Sequence, residues 1–222
     1  MTSGTDAAPA PERPTRPALT RDHVLRTALA LLDADGVDRF SMRRLGAALG
    51  VDPMAVYHWV PGKGAILDAI PELIWREVDL ESLDPDAGLR TVVTEVMSRL
   101  RAALRAHPNA VVIVGTHPVS GPTMSALLDT GLGLLVQGGL PVPSAIDLLN
   151  CLTVYTTGHV LAEVVEPVGG AAEEPDGPTP EQMAAEYPLL AAGVAAGWAW
   201  DPDRQWRAGL DAMLDGWSPP IA

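Results

Sequence analysis

The sequence predicts an all-α chain, with an N-terminal three-helix module holding a helix-turn-helix and a larger helical domain behind it. Three observations carry this. Aromatic residues make up only 5% of the 222 positions while Ala and Leu abound, a bias toward helix over sheet. Apolar residues recur at i, i+3, i+4 in one segment after another, the period of a helix with one buried face. One helix-start device occurs three times between residues 19 and 60. With 47% apolar and 19% charged residues, the chain has a globular balance and enough length to bury a core.

Residues 1–18, rich in Pro, Ala, Thr and Ser without periodicity, read as a disordered leader. The repeated device follows. Leu19-Thr20 precedes Val24, Phe40-Ser41 precedes Leu45, and Val51-Asp52 precedes Val56. Each is an apolar residue, a Thr, Ser or Asp N-cap, and an apolar residue one turn in, the pattern of a hydrophobic staple. Pro53 suits the first helical position, and Gly36 and Gly50 suit left-handed stops. Helices are therefore expected near 21–35, 42–48 and 53–59, the last two joined by a short turn as in a helix-turn-helix. In the third, Val56 and Val60 can face inward, leaving Met54, Ala55, Tyr57, His58 and Trp59 more exposed. Such an aromatic face calls for a partner, and a helix meant for the DNA major groove explains it.

A fourth helix is expected from Lys63 to about Val78, with Ile66, Leu67, Ile70, Leu73, Ile74 and Trp75 as its apolar stripe and a kink at Pro71. Asp84 and Pro85 then cap a helix running to His107, striped by Leu89, Val92, Val93, Val96, Leu100, Ala103 and Leu104. After the apolar segment NAVVIVGTHP come helices near 122–138 and 144–165. Residues 166–180 are acidic and Gly/Pro-rich and read as a mobile loop. Helices near 181–197 and 202–216 close the chain. The expected organisation is a leader (1–18), a helix-turn-helix module (19–79) and a larger helical domain (80–222), which the family resemblance described below implies to be a DNA-binding domain and a regulatory and dimerisation domain.

The net charge of −13 conceals an asymmetry. Residues 1–64 carry eight Lys/Arg against seven Asp/Glu, and residues 65–222 seven against twenty-one. Within 39–63, Arg39, Arg43, Arg44 and Lys63 face Asp52 alone. Only this module has the charge to meet phosphates. No stretch reaches the roughly 18 uninterrupted apolar residues of a membrane span, and the N-terminus lacks a secretory apolar region. The single cysteine, Cys151, fits a reducing cytoplasm. Asp147, Cys151 and His159 roughly share a helix face, but i to i+8 is about 12 Å along a helix, too far for direct proton transfer. Cys151 is expected to be a buried structural residue. The five histidines show no zinc-ligand spacing, and there is no phosphate loop or nucleophile elbow. The reading is a non-enzyme without metal or cofactor.

Residues 19–79, through LTRDHVLRTALALLDADG, SMRRLGAALGV and VYHWV, resemble the DNA-binding domain of the tetracycline-repressor (TetR) family of transcription regulators. The remainder is similar, more weakly, to the regulatory domain of the tetracycline-repressor subgroup of that family, in VGTHP, LLVQGGL, GHVLAE and DRQWRAGLDAMLDGW. The resemblance implies a cytoplasmic homodimer that binds a palindromic double-stranded operator, most often as a repressor, and is released by a small molecule. It places Arg43 against a base or phosphate, Met54 and Ala55 against bases, and Tyr57 and Lys63 against phosphates, Lys63 beside the N-terminal amides of the fourth helix. Arg44, His58 and Trp59 join this DNA-binding set. Trp59 is open between a core place and a phosphate contact, and of the adjacent Arg43 and Arg44 one is free to serve only in a salt bridge. The sequence departs from the family in PGKG after Val60. That departure and the acidic total leave an alternative, a helical small-molecule binding or interaction protein that no longer holds DNA.

The regulatory half departs as well. Tetracycline repressors chelate a magnesium–drug complex with a histidine before the GTxP turn and a later glutamate. Here those positions resemble Ile113 and Ala162, with Glu163 one residue off and about 100° around the helix. Neither Ile nor Ala offers a hard cation a ligand. A largely apolar, metal-independent effector pocket is therefore expected from Met97, Leu100, Ile113, Met124, Leu128 and Tyr155, with Thr116, His117 and His159 as polar handles. Ala208, Ala212 and Gly216 form a smooth i, i+4 stripe on the last helix. The resemblance implies that this helix and helix 144–165 form a four-helix interface with a second copy.

Overall fold

The computed structural model describes residues 19–117, 121–164 and 177–217. The expected leader, most of the expected loop at 166–180, and part of the segment before 122 lie outside these residues. Among the described residues the chain is helical throughout and has no strand.

The three caps form as the staple pattern requires. The Thr20 and Ser41 side chains accept from the backbone N–H groups of His23 and Arg44, and Asp52 accepts from Met54. Val24, Leu45 and Val56, one turn in, are completely buried. These caps open α1 (Arg21–Arg39), α2 (Met42–Leu49) and α3 (Pro53–Val56). Gly36 breaks the helical path of α1 at φ 77°, and Gly50 ends α2 at φ 66°, both left-handed. Gly46 has a different task. A Cβ there would stand 3.1 Å from the Pro53 backbone, so its absence lets α2 and α3 close up.

The third helix is shorter than the expected 53–59. Beyond Val56 the chain tightens, Trp59 and Val60 both donating to the Val56 carbonyl. Pro61 disfavours helical geometry at Val60 and stops propagation. α4 (Lys63–Arg76) continues through buried Pro71 without interruption. Asp84 caps only a single 3₁₀ turn, Pro85–Ala87. Gly88, at φ 84°, then separates it from α5 (Leu89–Ala106). The apolar segment after His107 becomes a 3₁₀ turn, Pro108–Ala110, and α6 (Val111–Thr116). α7 (Pro122–Gln137) and α8 (Val142–Val164) follow. The single helix expected near 181–197 is instead α9 (Pro180–Glu186) and α10 (Pro188–Ala195). Pro188 has no N–H to continue the ladder and keeps Tyr187 out of helical geometry, at φ −131° and ψ 58°. α11 (Pro202–Gly216) closes the chain, capped by Asp201.

α8 is the hub, packed by α5, α6, α7 and α11, while α4 rests on α1, α5, α6 and α7. One continuous apolar core runs from Leu32, Leu45, Ile66 and Ile70 in the N-terminal module to Leu100, Leu148, Leu152 and Leu210. α9 and α10 pack mainly on each other and bury no residue.

Candidate nucleic-acid interface and effector recess

The N-terminal module presents one face with few internal commitments. Val56 and Val60 point into the core at 0% and 1% exposure, whereas Met54 is 68%, Tyr57 44% and Trp59 40% exposed. Trp59 is thus outside the core; His58 is exposed and Ala55 half-buried. The two adjacent arginines, about 100° apart on α2, part company. Arg44 forms an ion pair with Asp35 of α1 and reaches the Arg39 carbonyl at 3.4 Å. Arg43 is exposed and makes no ion pair or hydrogen bond with any described residue.

Lys63 is engaged in a way the sequence did not show. Its Nζ donates to the carbonyls of Val37 (2.9 Å) and Phe40 (3.1 Å) and lies 5.8 Å above the Phe40 ring. The ammonium therefore satisfies carbonyls at the end of α1, where a cation is favoured. One of its three protons is left for another acceptor.

In the regulatory half, the residues expected to line a pocket are not brought together. Leu100, Ile113 and Met124 are at most 2% exposed, and Met97 borders only a void of about 30 Å³. The Tyr155 hydroxyl donates to the carbonyls of Gln205 and Trp206, tying α8 to α11. A Cβ at Gly209 would strike that hydroxyl. His117 is half-buried with Nδ1 3.2 Å from the Ile113 carbonyl, and Thr116 donates to Val112. Open space lies elsewhere, between α4, α6, α7 and α8. A recess of about 330 Å³ is lined by Trp75, Val112, Val114, Thr116, Thr157 and Leu161 among others. A second, of about 250 Å³, is lined by residues including Leu128, Leu132, Ile146 and Leu149. Trp75, Asn150 and Thr153 border both. Of the expected residues, Thr116 and Leu128 reach this space. Asn150 and Thr153 were missed, although polar groups within the otherwise apolar stretch of α8 are the signal that would have found them.

His159 belongs to an ionic cluster. Its Nδ1 lies 2.7 Å from Glu163, and its ring stacks on Trp200. Glu163 is held by Arg101 at 2.7 Å, which also binds Asp203 at 2.6 Å and lies over the Trp206 ring. Burial works against the Arg101 charge, yet the bonds to Glu163 and Asp203 raise its pKa above the ordinary value. The Arg101 bond lowers that of Asp203. The Glu163 carboxylate is thus already neutralised by a guanidinium. Among the described residues, no group of three or more His, Cys, Asp or Glu is arranged to hold a metal.

α11 turns Trp206, Leu210 and Leu214 inward and leaves Ala208, Ala212 and Gly216 exposed. Beside it, α8 exposes Cys151, Val154, Gly158, Leu161 and Ala162. Cys151 is therefore exposed rather than buried, a correction with a plain cause. The helix buries Leu148, Leu152 and Thr156 toward the core, and Cys151 sits about 100° from Leu152. No single helix among the described residues is long and apolar enough to cross a membrane.

Residues 82–219 match the family model described as Tetracyclin repressor-like, C-terminal domain. The class A tetracycline repressor protein from transposon 1721 of Escherichia coli is 32% identical over 195 residues, 87% of this chain and 88% of that protein. The HTH-type transcriptional repressor DrrR1 of Streptomyces coeruleorubidus is 28% identical over 193 residues, 86% of this chain and 70% of that protein. The Streptomyces coelicolor TetR family protein ActR, in a crystal structure with actinorhodin, superposes with a TM-score of 0.72 at 26% identity. It covers 89% of this chain and 96% of that one. With its regulatory half matched, its length shared and its capped helix-turn-helix in place, the chain belongs to the tetracycline-repressor family of DNA-binding transcription regulators.

Proposed function

We propose that the chain is a cytoplasmic homodimeric repressor that grips a palindromic operator and is released by a neutral, largely apolar effector. In this reading residues 19–79 are the DNA-binding domain and residues 80–222 the regulatory one. The observation that carries it is the uncommitted face of α2, α3 and the turn after it, where Arg43, Met54, Tyr57, His58 and Trp59 stand exposed. Arg43 is the candidate base reader, Met54 and Ala55 lie beside it, and Tyr57 and Trp59 approach the backbone. Arg44 sets the pose of α2 on α1, and Lys63 offers one N–H to a phosphate. The exposed apolar face of α8 and the small-residue stripe of α11 support a four-helix contact between two copies, the usual way to present two reading heads to two half-sites.

The effector is assigned to the joined recesses around Trp75, Asn150 and Thr153. Their lining holds no charged residue, which favours a neutral ligand with a few hydrogen-bonding groups. The actinorhodin held by ActR supports a small-molecule effector. Trp75 lies near one end of α4 and Lys63 at the other, about 18 Å apart at 1.5 Å per residue. An effector touching Trp75 shifts the heads only if it binds better to the conformation in which they are misplaced. Mobility shift of genomic fragments at several salt concentrations tests the reading. Selective retention that weakens linearly in log salt is expected, and absence of binding at low salt refutes it.

A further inference from the structure

Where α1, α4 and α5 meet, one imidazole lies between two carboxylates. His107, at the end of α5, places Nδ1 2.8 Å from Asp33 of α1. Its Nε2 lies 3.1 Å from both oxygens of Glu77, the residue that ends α4. The ring is largely enclosed. A neutral imidazole has a single N–H, so its other nitrogen would turn a lone pair on a carboxylate. The imidazolium donates to both. The outer Asp33 oxygen, Oδ1, is buried without a hydrogen-bond partner, so the carboxylate depends on His107. Two residues on, Asn109 donates to the Asp33 backbone carbonyl at 2.9 Å.

The charged surroundings agree with the geometry. Burial acts to discharge the ring, but the hydrogen bonds and charges of Asp33 and Glu77 outweigh it and raise the His107 pKa. Burial raises the Asp33 pKa, against the opposing pull of His107. Arg26, on α1, feels the Glu77 charge weakly. Arg105, on the same helix as His107, is directed to Glu163 and Asp203. Asp33 and Glu77 are thus the charges that face the ring from the other two helices.

We propose that His107 is a positioning residue for operator binding, its imidazolium fixing α1 and α4 of the reading head to the regulatory half and its deprotonation freeing them. A head fixed in advance spends less orientational freedom on engaging two half-sites at once. The sign follows from the proton. The joint is complete below the ordinary histidine range and is lost as pH rises through the raised pKa of the folded protein. It also has a route to the effector. The 3₁₀ turn after His107 leads directly into α6, whose Val111, Val112, Val114, Gly115 and Thr116 line the larger recess.

The test uses the full chain and an operator duplex recovered by genomic selection, with Kd measured from pH 6 to 9 at constant ionic strength. Ring resonances of His107 are followed in parallel by NMR. The wild type should lose about five- to tenfold in affinity, a typical coupling, with the midpoint of the His107 titration. His107→Gln should lack that component. Glu77→Gln, at a partly exposed site, should move both midpoints to lower pH together. An identical pH profile in wild type and His107→Gln overturns the proposal, as does a binding midpoint that ignores Glu77→Gln. If His107→Gln does not fold, the Glu77→Gln comparison decides alone. Failure of the wild type to bind DNA at any pH would refute operator recognition instead. Amide exchange in α1 and α4 against pH would then still read the joint, and pH-independent protection there would overturn it.

Discussion

Lys63→Ala separates two duties that one ammonium performs. Its Nζ donates to the Val37 and Phe40 carbonyls at 2.9 and 3.1 Å, at a partly buried site. A hydrogen bond to a charged group contributes about 1.5–3 kcal/mol when sheltered, but water can replace part of it here. The pair together is therefore worth about 1.5 kcal/mol after discounting for exposure. For a chain of this size each kcal/mol moves Tm by about 2–4 °C, so a loss of about 3–6 °C is expected by calorimetry. The third proton is free for a phosphate. Its loss should flatten the slope of log K against log salt by about one unit, alike on specific and random DNA. Lys63→Met, which keeps the aliphatic stem, should behave the same way. An unchanged Tm with a flattened slope would refute the capping role, and a lowered Tm with an unchanged slope would refute the phosphate contact.

Arg43→Ala should leave Tm unchanged, because no internal partner is lost, and should weaken operator binding by about 1–3 kcal/mol if the side chain reads a base edge; Tyr57→Phe should weaken it less, both read by mobility-shift titration. Ala212→Glu puts a charge on the exposed small-residue stripe of α11, so sedimentation should show a folded monomer with little operator affinity; an intact dimer would place the interface elsewhere. Release from the operator by a neutral, largely apolar compound should be indifferent to EDTA, and tetracycline with magnesium should not release it; metal-dependent release by tetracycline would overturn the assignment of the recess.

The local features of this protein were legible in its sequence because their causes are local. An N-cap and its staple involve residues within one turn, so Thr20, Ser41 and Asp52 announce three helix starts, and Gly50 one stop. The inward turn of Val56 and Val60 and the exposed stripe at Ala208, Ala212 and Gly216 follow from helical period. Where the helices depart from the periodic pattern a neighbouring residue is the cause: Pro61 shortens α3, Gly88 delays α5 and Pro188 divides α9 from α10. Tertiary structure alone decided the rest. That Arg44 answers Asp35 while Arg43 stays free, and that Lys63 caps α1, depends on how α1, α2 and α4 cross. That Glu163 meets Arg101 depends on α5 lying beside α8. The recess is the space four helices leave between them, and no periodicity records a gap. Its position behind Trp75, and the meeting of His107 with Asp33 and Glu77, exist only because the fold brings together residues distant in the chain.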